Sequence, residues 1–222
     1  MILTSLIEKG PIKAEVYHKT EEAFNNIKLV LRKLESQLQQ AMAVVDKRVV
    51  IKYTERSLFD LEFKISDDIL IFSMHTDAFT FPESHPIWKT SYLNDQKLRS
   101  YCGLISIYNF LTDSIKYNRT NDVGVLIARI FVNSENHFFV EGKRQLGFLF
   151  NDFESDLLLE QRIRDLVENA IIYSLNYDIL TPPYEQVRLI SVQDLIDKNL
   201  SSVISTGKRL GFKLQSDSDI IK

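Results

Sequence analysis

The chain has 222 residues and a mass of 25.8 kDa, with 45% hydrophobic and 26% charged residues, which is enough apolar material for one sizeable core without staples. A formal net charge of −3 and a pI near 5.9 argue against a protein whose main task is coating nucleic acid, since phosphate binding rests on a lysine and arginine excess. The single cysteine, Cys102, excludes an intrachain disulfide and leaves a cysteine-based metal centre without partners, as suits a reducing cytoplasm.

At the N-terminus, MILTSLIEKG has no basic residues ahead of its short apolar run and meets Glu8 and Lys9 at once, so it does not read as a signal peptide. From Phe24 the apolar positions Phe24, Ile27, Leu31, Leu34, Leu38, Ala41 and Val45 recur at spacings of three and four, the mark of one helix face. Thr20 or a neighbour is placed to cap this helix, with Glu21 and Glu22 in the first turn, where the helix dipole favours carboxylates. The flanking positions Lys28, Val30, Glu35, Gln37, Met42 and Val44 lack the charge pairing of a coiled coil. The stripe is therefore read as packing on the protein's own sheet, with a homodimer through the 24–45 helix as the alternative.

Three short strands follow, RVVIKYT (48–54), LFDLEFKIS (58–66) and DILIFSMHT (68–76), rich in β-branched and aromatic residues and separated by polar turns, as in an antiparallel meander. In the second, Leu61, Phe63 and Ile65 alternate with Asp60, Glu62 and Lys64, so one face is buried and the other wet. After the loop FTFPESHPIW, the positions Leu98, Tyr101, Leu104, Tyr108, Leu111 and Ile115 predict a second helix over 94–117. VGVLIARIFV (123–132) reads as a central strand, too short and too interrupted by Arg129 for the ~20 residues of a membrane span. FFVE is a strand, GKRQ a turn and LGFLF another strand, which puts Gly142-Lys143-Arg144 at a hairpin tip. A third helix is expected at 153–175 with Leu159, Ile163, Leu166, Ala170 and Tyr173 inward, ended by the Pro182-Pro183 pair.

The order is α-βββ-α-ββ(β)-α, an α+β protein with a largely antiparallel sheet. Residues 1–180 form the main domain, and 181–222 form an appendage that includes a short helix from Ser191 to Asn199. Asn118-Arg119-Thr120 and Asn199-Leu200-Ser201 match the glycosylation pattern but are silent in a non-secreted chain.

Several residues carry candidate chemistry. Arg129, alone on an apolar strand, either pairs with a carboxylate, lines a cavity as an anchor for an anionic ligand, or lies at an open face or strand end. Lys143 and Arg144, with Lys208 and Arg209 after Gly207, form an anion or nucleic-acid site if the two Gly-Lys-Arg turns converge, Arg offering a planar fork and Lys a point charge. His75 and Asp77, two apart on a strand end, and Glu83 and His85 beyond them, are imidazole and carboxylate ligands of the kind that hold a divalent metal. Glu62-Phe63-Lys64, preceded by Asp60, Glu55 and Asp46, resembles in outline the acidic Glu-x-Lys core of the restriction-endonuclease-like nucleases. That resemblance implies acids holding Mg²⁺ and a Lys64 that steadies an attacking water, although the family's Glu-x-Lys belongs on the third strand and here lies on the second.

No Gly-x-Ser-x-Gly, Gly-x-Gly-x-x-Gly, His-Glu-x-x-His or Walker spacing occurs. The leading expectation is a cytoplasmic, non-catalytic module that binds a small ligand or a partner protein, without cofactor and without membrane contact. The alternatives are a metal-dependent hydrolase or nuclease and a nucleic-acid or phosphate binder working through the Gly-Lys-Arg turns.

Overall fold

The computed structural model describes residues 2–120, 122–178, 181 and 183–194. It contains six strands, β1 (Ile51–Glu55), β2 (Asp60–Ile65), β3 (Asp68–Met74), β4 (Cys102–Leu111), β5 (Val125–Asn133) and β6 (Phe138–Gly142). Each pairs antiparallel with the next, so the sheet runs β1 to β6 in chain order as a pure meander. Helix α1 (Ile2–Val45) precedes the sheet, short helices α2 (Ser91–Asp95) and α3 (Thr112–Lys116) interrupt it, and α4 (Gln145–Phe148), α5 (Glu160–Leu175) and α6 (Tyr184–Val187) follow. The α+β architecture with helix first, the three-strand meander and the alternation of β2 are as the sequence reads.

The core lies between α1, α5 and one sheet face. Phe24, Ile27, Leu31 and Leu34 of the expected stripe are buried there, packed with Leu61, Phe63, Leu70, Phe72, Ile105 and Ile107. This half of the stripe is covered by the protein's own sheet, whereas Ala41 and Val45 at its far end are exposed. Helix α5 lies beside α1, with Ile163, Leu166, Val167, Ala170 and Ile171 in the same core and a Lys33–Glu160 ion pair at 2.6 Å on the outside. Buried inside this core, Asn109 Nδ2 donates to Ser174 Oγ at 2.8 Å and ties β4 to α5.

Four expectations are corrected. Helix α1 does not start at Thr20 but runs through it; the Thr20 hydroxyl, fully buried, donates back to the Val16 carbonyl at 2.6 Å. Residues 102–111 are strand β4, not the middle of a helix. Positions four apart, such as Leu104 and Tyr108, share a face in a strand as well as in a helix, and the deciding period is the alternation of Ile105, Ile107 and Asn109, all buried. LGFLF is not a strand, because Gln145–Phe148 turns as α4. A Cβ on Gly147 would come within 2.4 Å of the Gly142 carbonyl oxygen, so the two glycines of Gly-Lys-Arg-Gln-Leu-Gly permit a backbone corner that folds back on the end of β6. The third helix starts at Glu160, since the preceding backbone is used elsewhere: Phe138 N donates to the Asp156 carbonyl and Leu158 N to the Asn136 carbonyl.

Of the expected C-terminal unit, α6 and the turn at 191–194 are described. There Ser191 Oγ donates to Asp194 Oδ2 at 2.6 Å and accepts from Asp194 N, the reciprocal bonding of a helix start at Ser191; the rest of the expected 191–199 helix lies outside the described residues.

A close fit between α1 and the sheet is at Gly103, where an added Cβ would meet Thr20 Oγ1 at 1.8 Å and Thr20 Cβ at 2.8 Å. Gly103→Ala must push α1 away from β4, and a loss of about 1–3 kcal/mol in unfolding free energy is expected, measured by urea denaturation. Thr20→Ala in the same chain should recover part of that loss, because it removes the nearer of the two clashing groups.

Candidate functional site

Among the described residues, the second face of the sheet carries no long helix. Cross-strand register builds a polar row across it: Asp60 lies opposite Ser73, Ser73 opposite Ser106, Ser106 opposite Arg129 and Arg129 opposite Glu141. With strands ~4.8 Å apart, this row crosses roughly 19 Å. Two pairs along it are bonded. Ser73 Oγ donates to Asp60 Oδ1 at 2.7 Å, and Arg129 Nη2 donates to Glu141 Oε2. His85 closes the row: Ile87 N donates to its Nδ1 at 3.2 Å, so Nε2 carries the hydrogen given to Glu141 Oε1 at 2.9 Å.

Two segments wall this face. On the β4–β6 side, residues 79–100 and Phe153 form a second apolar cluster in which Phe81, Ile87, Tyr92, Leu93 and Phe153 pack on Cys102, Phe131 and Phe139, with Phe131 and Phe139 stacked at 4.9 Å. Burial there pushes the Cys102 thiol well above its ordinary range, which keeps it an inert core group. At the rim of this cluster, Tyr92 Oη donates to Glu135 Oε2 at 2.7 Å while Arg99 Nε donates to Glu135 Oε1 at 3.0 Å.

The other wall is a strap, residues 112–120 with Asp122. It begins as α3, whose end is closed by Asn118 in the left-handed conformation (φ 48°) and by Arg119 N donating to the Ser114 carbonyl at 2.8 Å. Ser114 Oγ then donates to Asp122 Oδ2 at 2.6 Å and fastens the two ends of the strap together. Between the strap and the β1–β2 turn lies a groove of about 580 Å³. Ile71 and Phe110 form its apolar floor, Arg56, Ser57 and Asp60 line one side, and Asn118, Arg119, Thr120 and Asp122 line the other.

The charged groups of the groove are held by near neighbours. Arg56 Nε donates to Glu62 Oε2 at 2.6 Å, and Asp60 accepts Ser57 Oγ on Oδ2 at 2.7 Å in addition to Ser73 Oγ on Oδ1. A carboxylate oxygen has two lone pairs, so each Asp60 oxygen keeps one acceptor position beyond its serine. The arrangement offers fixed acceptors and donors around an apolar floor, the usual make-up of a small-molecule site.

The structure distributes the residues singled out from sequence as follows. Arg129 lies mid-strand on the open face, paired with Glu141, its side chain 44% exposed and its guanidinium 5.5 Å from the centre of the Phe131 ring. Lys143 and Arg144 are exposed at the β6–α4 corner, while Lys208 and Arg209 lie outside the described residues. His75 and Asp77 are exposed beside each other, with Asp77 N donating to His75 Nδ1; Glu83 is exposed, and His85 is turned to Glu141. Among the described residues, no group of three or more His, Cys, Asp or Glu side chains is placed to hold a metal ion. The acids of the nuclease-like resemblance are also separated: Glu62 pairs with Arg56, Glu55 with Arg32 on α1, and Asp46 with Arg48. Sequence reading missed Ser57, Asn118, Thr120 and Asp122. The one signal for the last three was the polar run Asn118-Arg119-Thr120-Asn121-Asp122 between two apolar strands. No protein-family profile, curated protein or solved structure matches the chain.

Desolvation acts to raise the pKa of Glu135, but the hydrogen bonds from Tyr92 and Arg99 outweigh it and hold the carboxyl below the usual 4.5. A depressed carboxyl pKa gives stability that is present above the unfolded-state value and is lost as pH falls through the folded one. Glu135→Gln should therefore flatten the drop in melting temperature below about pH 4.5, measured by thermal unfolding from pH 7 to 3.

Proposed function

We propose that this protein is a non-catalytic binding module that takes a small polar ligand in the groove between its sheet and the strap. The observation that carries this reading is the groove's lining. Its carboxylates and Arg56 are fixed by bonds to Ser57, Ser73, Ser114 and Glu62 while still bordering a cavity floored by Ile71 and Phe110. Groups held in this way lose little freedom when a ligand docks, which is how a preformed site keeps its affinity. The volume of about 580 Å³ falls within the few hundred to one thousand Å³ common to small-molecule sites.

A library of uncharged and charged fragments, titrated against the ¹⁵N-labelled protein, tests the reading. Shifts should cluster at Arg56–Asp60, Ile71, Phe110 and the strap. Hits that map instead to the α1–α5 side, or no cluster at all, would remove the groove as the binding site.

A further inference from the structure

We infer that the ligand class of this groove is a neutral polyhydroxylated ring, a sugar or the sugar of a nucleoside; the inference rests on the groove being the binding site. Three features of the lining point the same way. Arg56 is paired with Glu62, and the remaining charges of the lining are Arg119, Asp60 and Asp122, so an anionic ligand finds no excess of positive charge to offset its lost hydration.

The rim mixes groups that only accept, the Asp60 and Asp122 carboxylates, with hydroxyl and amide groups that both donate and accept, Ser57, Asn118 and Thr120. A row of ring hydroxyls is the matching edge, since each supplies one donor and two lone pairs. An ammonium has no lone pair to return to Asn118 or Thr120, and a phosphate brings negative charge beside two carboxylates.

The floor matches the ring's other surface. Phe110 and Ile71 are apolar, and the backbone at Gly124 lies so close to the Phe110 ring that a Cβ there would come within 2.4 Å of it, which fixes the ring in place. A saturated ring with hydroxyls on its edge and C–H groups on its face would lie with the C–H face on Phe110 and the hydroxyls toward Asp60 on one side and Asn118 on the other.

The test is a ¹⁵N-shift titration of the full chain with glucose, galactose, xylose and maltotriose, with adenosine and uridine, and with the charged analogues glucose 6-phosphate, glucosamine and AMP. Saturable shifts at the groove with at least one neutral member, and binding tenfold or more weaker for its charged analogue, are expected. The free sugars against the nucleosides separate the two sources of the ring. Asn118→Gly suits the left-handed position while removing the amide, so it should leave the rest of the spectrum unchanged and weaken binding about fivefold to tenfold. Asp60→Asn, which keeps the shape and an acceptor oxygen, should also weaken it.

Tighter groove binding by a charged analogue would overturn the ligand class and leave the groove as a binding site. Silence from every sugar and nucleoside, with other fragments shifting the groove, would overturn the class in the same way. Silence from the fragments as well would overturn the binding reading itself.

Discussion

Everything in this structure depends on the docking of α1 against one face of the meander. A six-stranded antiparallel sheet has two faces to cover, and Phe24, Ile27, Val30, Leu31 and Leu34 of α1 are each at most 4% exposed against one of them. At about 1.5–3 kcal/mol for each fully buried side chain, this one contact is worth on the order of 10 kcal/mol before conformational entropy is subtracted. With α5 alongside, it completes the core on that side and leaves the second face to short segments. The Gly103–Thr20 fit shows how closely the two surfaces approach.

The second face is covered in a different way. Its β4–β6 side is sealed by rings, Phe81, Phe131, Phe139 and Phe153, with Tyr92 and His137 at the rim. Its β2–β4 side is left to polar groups such as Asp60, bonded to Ser73, and a second polar pair, Arg129 with Glu141, crosses β5 and β6. Charge on an open sheet face is stabilised modestly by such pairing, and its larger effect is to fix side-chain positions. The strap sits over this polar half, and the groove is the space left between them. Sheet register therefore leads directly to the site: a slip of one residue in β2 would turn Asp60 and Glu62 into the core and Leu61 and Phe63 out to solvent.

Much of the fold was legible because local pattern and tertiary environment agree. The α1 stripe from Phe24 to Leu34, the alternation of β2 and Ile163, Leu166, Ala170 and Tyr173 of α5 all follow from one-sided burial, while Ala41, Val45 and Leu159 of the same patterns are exposed. The pattern misled where two periods coincide, as with Leu104 and Tyr108 of β4, or where a backbone contact decides the conformation. Gly142 and Gly147 are of the second kind: the Gly-Lys-Arg motif suggested an anion-binding tip, and at 142–147 the glycines serve a corner in which a helical turn meets a carbonyl oxygen. The site was the least legible part. Asp60 and Ser73 are thirteen residues apart and Ser57 and Asn118 sixty-one, so only sheet register and the path of the strap bring them together. Short-range motifs pointed instead to His75, Asp77, Glu83 and His85, which the loop divides between solvent and Glu141.

The central claim is that the strap side of the open sheet face is where this protein binds its ligand. A crystal structure of the full chain with the tightest-binding small molecule found in solution tests it most directly. The account predicts density for the compound over Phe110, between Asp60 and Asn118, with the strap and the Asp60–Ser73 bond in place. Density for it against α1 or α5, or at the β6–α4 corner beside Lys143 and Arg144, with the groove empty, would contradict the account.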